Sequence, residues 1–136
     1  MPKFKTPEEE LDYLRAHVKA REEQLISLGH IEHAQENAAS DVLGVYKNIP
    51  AEQVVHKDNV MEKKEVEGIV LALKPETHDN IMEELLGIVI TKGVRNALSV
   101  VEAMGNPHID NDFHRILIQY LKTGQVNFDF KEGAPM

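Results

Sequence analysis

The sequence predicts an all-α fold: a long N-terminal helix or helical hairpin, a compact bundle of about four helices, and a strand-like C-terminal tail. Three observations lead there. Apolar residues recur three and four positions apart over most of the 136 residues. Prolines 7, 50, 75 and 107 stand at the edges of these periodic stretches, where helices start and stop. Alternation with a period of two appears only in the last dozen residues. Hydrophobic residues make up 42% of the chain and aromatics 5%, with no Trp, so the core must be mostly aliphatic. The length is enough for one compact domain with a real core.

The first helix is predicted from Thr6 to Gly29. Thr6 can cap it, Pro7 suits the first turn, and Glu9 completes a T-x-x-E capping box. Gly29 suits its C-terminal stop. Leu11, Leu14, Val18, Arg21, Leu25 and Leu28 follow a 3-4-3-4 spacing, a coiled-coil seam with one charge in it. This seam can pack against the chain's own next helix or against another copy. A second helix is expected over 30–48, with Ile31, Ala38, Val42, Val45 and Ile49 sharing a face, and Ile49-Pro50 ending it. Residues 1–50 therefore read as a helical arm or hairpin. Residues 51–65 turn polar and read as a tether or a weak helix.

The bundle is predicted over 66–124. Val66, Ile69, Val70 and Leu73 follow one helical face, and Pro75 stops the segment. The helix over 76–92 carries Ile81, Met82, Leu85, Leu86, Ile88 and Val89 around most of its surface, so it is expected at the centre. Gly93 breaks it. Val94, Ala97, Leu98, Val101 and Met104 give a short inward-facing helix closed by Gly105. Asn106 and Pro107 then start a last helix, which runs to about Lys122 before Gly124. In the tail, 125–136, Val126, Phe128 and Phe130 alternate with Asn127, Asp129 and Lys131. A single strand in a helical chain would pair with another molecule, lead into a further domain, or be simply a loose end.

Charge and composition exclude several roles. The net charge of −8 repels phosphate backbones, and no basic patch is visible, so nucleic acid is not an expected partner. With no cysteine there are no disulfides, thiolate metal sites or cysteine nucleophiles. The longest uncharged aliphatic run, LLGIVIT at 85–91, is far short of the ~20 residues a membrane helix needs, so direct membrane insertion is not expected. The opening MPKFKTPEEELD has no apolar stretch of the signal-peptide kind, and a cytoplasmic location is expected. The phosphate-loop, G-x-S-x-G, HExxH and EF-hand patterns are absent.

The stretch GNPHIDNDFHRIL, 105–117, is the most chemical in the chain. His108, Asp110, Asp112 and His114 could grip a metal if they converged. On a helix at about 100° per residue, His108 and Asp112 share one border, whereas Asp110 and His114 lie about 160° away. The four cannot meet on one ion. The acids then favour the helix dipole, each His can pair with the Asp one turn away, and His114 borders the core. The pair His30-x-x-His33, with Glu36 or Asn37 nearby, lacks the third and fourth ligands that zinc requires. No catalytic residue, metal or cofactor is therefore expected. The alternative is a metal-dependent enzyme or metal-regulated switch, in which His30, His33, His108 and His114 would have to meet in space.

The stretch KPETHDNIMEELLGIVITKGVRNALSVVEAMGNPHIDNDFHRILIQYLKTG, 74–124, resembles a segment near the start of uncharacterised bacterial proteins from candidate-phylum lineages. In those a pattern PEEHD…ELLG…KG…NALSVVEKM…NPHLEDDFHR-L-QY recurs. Some longer members look similar to type IV secretion or conjugation ATPases, with the motor domain further on. The opening FKTPEEELDYLR is similar to their leading helix. The resemblance covers most of the chain but rests on packing and capping motifs. It implies a helical leading domain, with any ATPase activity outside these residues, since the phosphate loop is missing. Lys74 stands where that pattern has a better helix cap. The expected function is a non-enzymatic helical interaction or oligomerisation module. Its contacts, with a protein partner or with itself, would be carried by Leu11, Leu14, Val18, Leu25 and Leu28 and by Val126, Phe128 and Phe130.

Overall fold

A computed structural model describes residues 3–124 of the chain. Among these the fold is all-helical. The elements are α1 (Pro7–Ser27), α2 (Ala34–Tyr46), α3 (Ala51–Val54), α4 (Lys63–Leu73), α5 (His78–Lys92), α6 (Val94–Met104) and α7 (Pro107–Thr123). The strand-like tail expected at 125–136 lies outside the described residues.

The first and last helices begin as their sequences dictate. Thr6 Oγ1 accepts from the Glu9 amide at 3.1 Å, and Glu9 Oε1 accepts from the Thr6 amide at 3.3 Å, which closes the capping box. Asn106 Oδ1 accepts from the amides of His108 and Ile109, with Pro107 in the first turn of α7. Gly29, Gly105 and Gly124 end their helices at positive φ, conformations in which a side chain is strained.

α1 and α2 form an antiparallel hairpin that packs on the bundle rather than standing off it. α2 lies along α7, and α1 touches α5, α6 and α7. One apolar core therefore runs from Phe4 to Leu121. Leu11, Leu14, Val18 and Leu25 of the predicted seam are buried in it. Leu28 is 63% exposed, just beyond the end of α1.

Three features differ from expectation. α2 starts at Ala34, not at residue 30: His33 adopts the left-handed conformation, φ 57°, so residues 28–33 form a loop. The buried face of α2 is Ala34, Ala38, Ala39, Leu43 and Tyr46, and the expected face members Ile31 and Val45 are both 68% exposed. The small alanines let α2 lie close to its neighbours, and Tyr46 is drawn inward by a buried acid described below. Third, α6 is the most enclosed helix, with seven buried residues against four in α5.

The segment 51–65, expected as a tether or weak helix, is bound into the domain. It contains the single turn α3, and Val54, Val55 and Met61 are buried. The Phe4 amide donates to Val54 O at 2.7 Å and Phe4 O accepts from the His56 amide at 2.8 Å, an isolated parallel bridge. Asn59 Nδ2 donates to Lys5 O at 2.7 Å.

Candidate functional site

The polar residues that the fold gathers in its interior meet at the start of α6. Gly93 is the only residue between α5 and α6, and as N-cap it has no side chain to offer the first amides of α6. Its backbone, φ 99° and ψ 166°, lies in a region essentially restricted to glycine. A carboxylate from α1 fills the gap. Glu10, 2% exposed, accepts from the Val94 amide at 2.7 Å through Oε1 and from the Arg95 amide at 2.8 Å through Oε2. The Tyr46 hydroxyl of α2 also donates to Oε2, in a short hydrogen bond. A Cβ on Gly93 would stand 2.3 Å from Glu10 Oε1, so the glycine provides both the backbone conformation and the space.

The next two residues extend the node. Arg95 is buried; its Nε donates to Ile49 O at 2.7 Å and its Nη1 to Ser99 Oγ at 3.2 Å, and it faces Glu102 at 3.5 Å. Asn96, also buried, accepts from the Met61 amide at 3.0 Å and donates to Asn59 O and Lys92 O, both at 2.9 Å. One turn of α6 thus holds α1, the end of α2, the 59–61 segment and the end of α5.

Burial pushes the Glu10 carboxyl above its ordinary value, against the hydrogen bonds from Tyr46, Arg95 and Val94 and the Arg95 charge, which pull it down. Its contribution to stability is therefore fullest below its unfolded value of 4.5 and falls as pH rises through the folded value. Tyr46 is held protonated, first by burial and then by the Glu10 charge. Every group in the node has a partner within the fold, so the node is built to hold helices together. A cleft of about 310 Å³ reaches Glu10 from outside, between Lys5, Thr6, Asn59 and Lys92.

The four candidate histidines are not brought together. His30 and His33 are exposed in the α1–α2 loop. His108 is exposed at the start of α7. α2 and α7 run antiparallel, since Glu36 faces Lys122 at 3.9 Å while Ser40 meets His114 at 3.2 Å. His33, just before α2, is therefore at the end of α7 opposite to His108. Among the described residues no group of three or more His, Asp or Glu is arranged to hold a metal ion. Two members of the expected His–Asp couples within α7 hydrogen-bond to other helices, although the Asp110 charge still acts on His114. Asp112 meets His78 Nε2 of α5 at 2.7 Å, and His114 meets the Ser40 hydroxyl. His114 is half-buried, as its position bordering the core implied.

Sequence reasoning missed Glu10, Tyr46, Arg95 and Asn96. A signal existed for two features. Glu10 falls one turn before Leu14, at the edge of the apolar arc of α1. The junction Lys92-Gly93-Val94 opens a helix with no capping side chain. Of the predicted contact residues, Leu11, Leu14, Val18 and Leu25 are enclosed by the chain itself, and Val126, Phe128 and Phe130 lie outside the described residues.

An outer surface is concave as well. A groove of about 850 Å³ runs between α1 and α2. Tyr13 and His17, with ring centroids 4.2 Å apart, line its α1 wall; Val42, Val45 and Ile49 line the other. Arg21 and Asp41 bridge it at 3.0 Å. No helix in the described residues is long and apolar enough to cross a membrane. No protein-family model matches the chain, and neither a curated protein nor a solved structure is similar to it.

Removing the Glu10 carboxyl strands two buried amides, each costing ~1–3 kcal/mol. Glu10→Ala is expected to lose about 3–6 kcal/mol in urea denaturation, and Gly93→Ala about 2–4 kcal/mol. Gly68→Ala, where a Cβ meets nothing within 4 Å in the middle of α4, is expected to gain ~0.5–1 kcal/mol. A Gly93→Ala variant as stable as the parent would contradict this reading of the junction.

Burial, then the Lys47 charge, hold His114 below its ordinary value of 6.5, against the pull of Asp110. The unfolded chain binds the proton first, so the His114 contribution is complete above 6.5 and lost as pH falls through the folded value. The stability difference between the parent and His114→Gln is expected to shrink from neutral to mildly acidic pH. Denaturation midpoints at both pH values check it, and a difference that widens on acidification refutes it.

Proposed function

We propose that the chain is a non-enzymatic helical module for protein–protein interaction or self-association, and that the α1–α2 groove is its contact surface. The observation that carries this reading is an apolar residue left on the rim of a concave surface: Val45 is 68% exposed beside the half-buried Val42 and Ile49. Ala20 and Gly44 lie on opposite walls, so a partner backbone can come close. An amphipathic helix laid in such a groove buries its apolar face against both helices, a common recognition mode. The non-enzymatic part is supported by the histidines' separation and by the use of every buried polar residue in packing. The narrower form, a leading domain of a secretion- or conjugation-type machine, has the resemblance of 74–124 as its support.

Light scattering after size exclusion tests the self-association form. The expected result is a dimer or larger species at high concentration that Val45→Asp returns to monomer without loss of helicity. A chain that stays monomeric at every concentration removes self-association. An assembly indifferent to Val45→Asp removes the groove.

A further inference from the structure

The loop at the hairpin tip, residues 28–33, carries two histidines whose side chains the fold leaves unused. His30 and His33 are exposed, and neither imidazole has a hydrogen-bonding or ionic partner among the described residues. The backbone around them is pinned. The His30 amide donates to Leu25 O at 2.9 Å, the Ala34 amide to Ile31 O at 3.2 Å, and the Asn37 amide to His33 O at 2.9 Å. His33 is the N-cap of α2, yet its side chain makes no hydrogen bond to the helix. It is also the single non-glycine among the described residues at positive φ, a strained conformation of the kind that collects at functional positions. Ser, Asp or Asn there would suit a helix start. An imidazole offers instead a ring nitrogen, the commonest metal ligand.

One loop does not make a zinc site. A structural zinc ion takes four ligands in tetrahedral geometry, and this loop supplies two histidines. No third His, Asp or Glu among the described residues joins them; Glu36, in the first turn of α2, faces Lys122 at 3.9 Å. A second copy related by a twofold axis brings the missing pair, because such a contact places the same patch of both chains together. The surroundings suit it. Ile26, Leu28 and Ile31 are 44%, 63% and 68% exposed, three large aliphatic side chains within six residues, on the loop and beside it. Apolar side chains exposed together mark an interaction surface, and a twofold contact brings each patch against its own counterpart. Two chains of net charge −8 repel each other. A divalent cation at the contact offsets that repulsion, and Glu32 between the histidines adds to its attraction.

We propose that His30 and His33 form half of a zinc site, that the same two residues of a second copy complete it, and that zinc thereby joins two chains at their hairpin tips over Ile26, Leu28 and Ile31. Zinc makes no geometric demand from its d-electrons, so it adapts best to ligands drawn from two loops. The proposal does not rest on the groove reading. Tip and groove are separate surfaces, since the lining of the groove ends at Gln24 on α1. Association at the tip depends on metal, and association at the groove does not.

The test uses the untagged full-length chain, stripped of metal with EDTA, and zinc chloride alone as the probe. Light scattering after size exclusion reads the association, and calorimetric titration reads the stoichiometry. The expected result is a dimer that forms on adding zinc, saturates at one ion per two chains and reverts with EDTA. His30→Gln and His33→Gln are each expected to abolish it, with circular dichroism unchanged because both side chains are exposed. Ile31→Ser is expected to weaken the zinc-bound dimer about tenfold. His108→Gln, at another exposed histidine, and Val45→Asp, in the groove, are expected to leave it as it is. The absence of a zinc-induced dimer would overturn the proposal, as would one ion bound per chain without association. A dimer that survives both His30→Gln and His33→Gln would overturn it too. A zinc-induced dimer lost on Val45→Asp would place the contact in the groove and overturn it equally.

Discussion

A carboxylate taken out of water has to be met by donors, and in this chain the donors for Glu10 come from two other elements. Two are the first amides of α6 and the third is the hydroxyl of Tyr46 on α2. The requirement runs both ways. α6 opens directly after Gly93 and has no capping side chain of its own, so its buried amides need an acceptor from elsewhere. α1 can supply it only if the hairpin lies flat on the bundle. The position of the hairpin is thus tied to a junction more than eighty residues beyond Glu10. Arg95 and Asn96 extend the same constraint to Ile49 and Met61, which is why the polar 51–65 segment is held in the domain.

What was legible in the sequence was local. The capping box at Thr6, the Asn106-Pro107 start and the stops at Gly29, Gly105 and Gly124 each depend on residues within one turn, and each forms as its residues imply. The all-α class and the hairpin-plus-bundle layout followed from periodicity. The start of α2 was not legible, because Ile31 continues an apolar spacing that the backbone at His33 interrupts. The order of burial was not legible either. α5 carries apolar residues around most of its surface and was expected at the centre, but α6 is the more enclosed, because it carries the junction that four other segments attach to. Glu10 and its partners stand 84 and 85 residues apart, and no local rule connects them.

The histidines show the same division. Their failure to converge within α7 followed from the helical wheel, but their partners did not, because those partners belong to other helices. His78 takes Asp112 from α5, and Ser40 takes His114 from α2. These polar pairs stitch helices side by side, as the Glu10 node does at greater depth. The polar interior is therefore used for packing, and among the described residues most of the exposed large apolar side chains, Ile26, Leu28, Ile31 and Val45, are on the hairpin, with Leu71 on α4 and Ile90 on α5. The hairpin is fixed at its base, where Glu10 of α1 meets Tyr46 of α2 and the first amides of α6.

Amide hydrogen exchange at Val94 and Arg95 tests the central claim most directly. Amides in the first turn of a helix normally exchange readily, and α4, whose N-cap Glu62 makes no side-chain cap, gives the internal comparison at Lys63 and Lys64. If Glu10 holds the hairpin to the α6 junction, Val94 and Arg95 will exchange as slowly as Val100 and Val101 in the middle of α6, opening only when the whole domain does. Exchange at the rate of Lys63 and Lys64 would mean that the carboxylate does not hold those amides, and the account of this fold would fail.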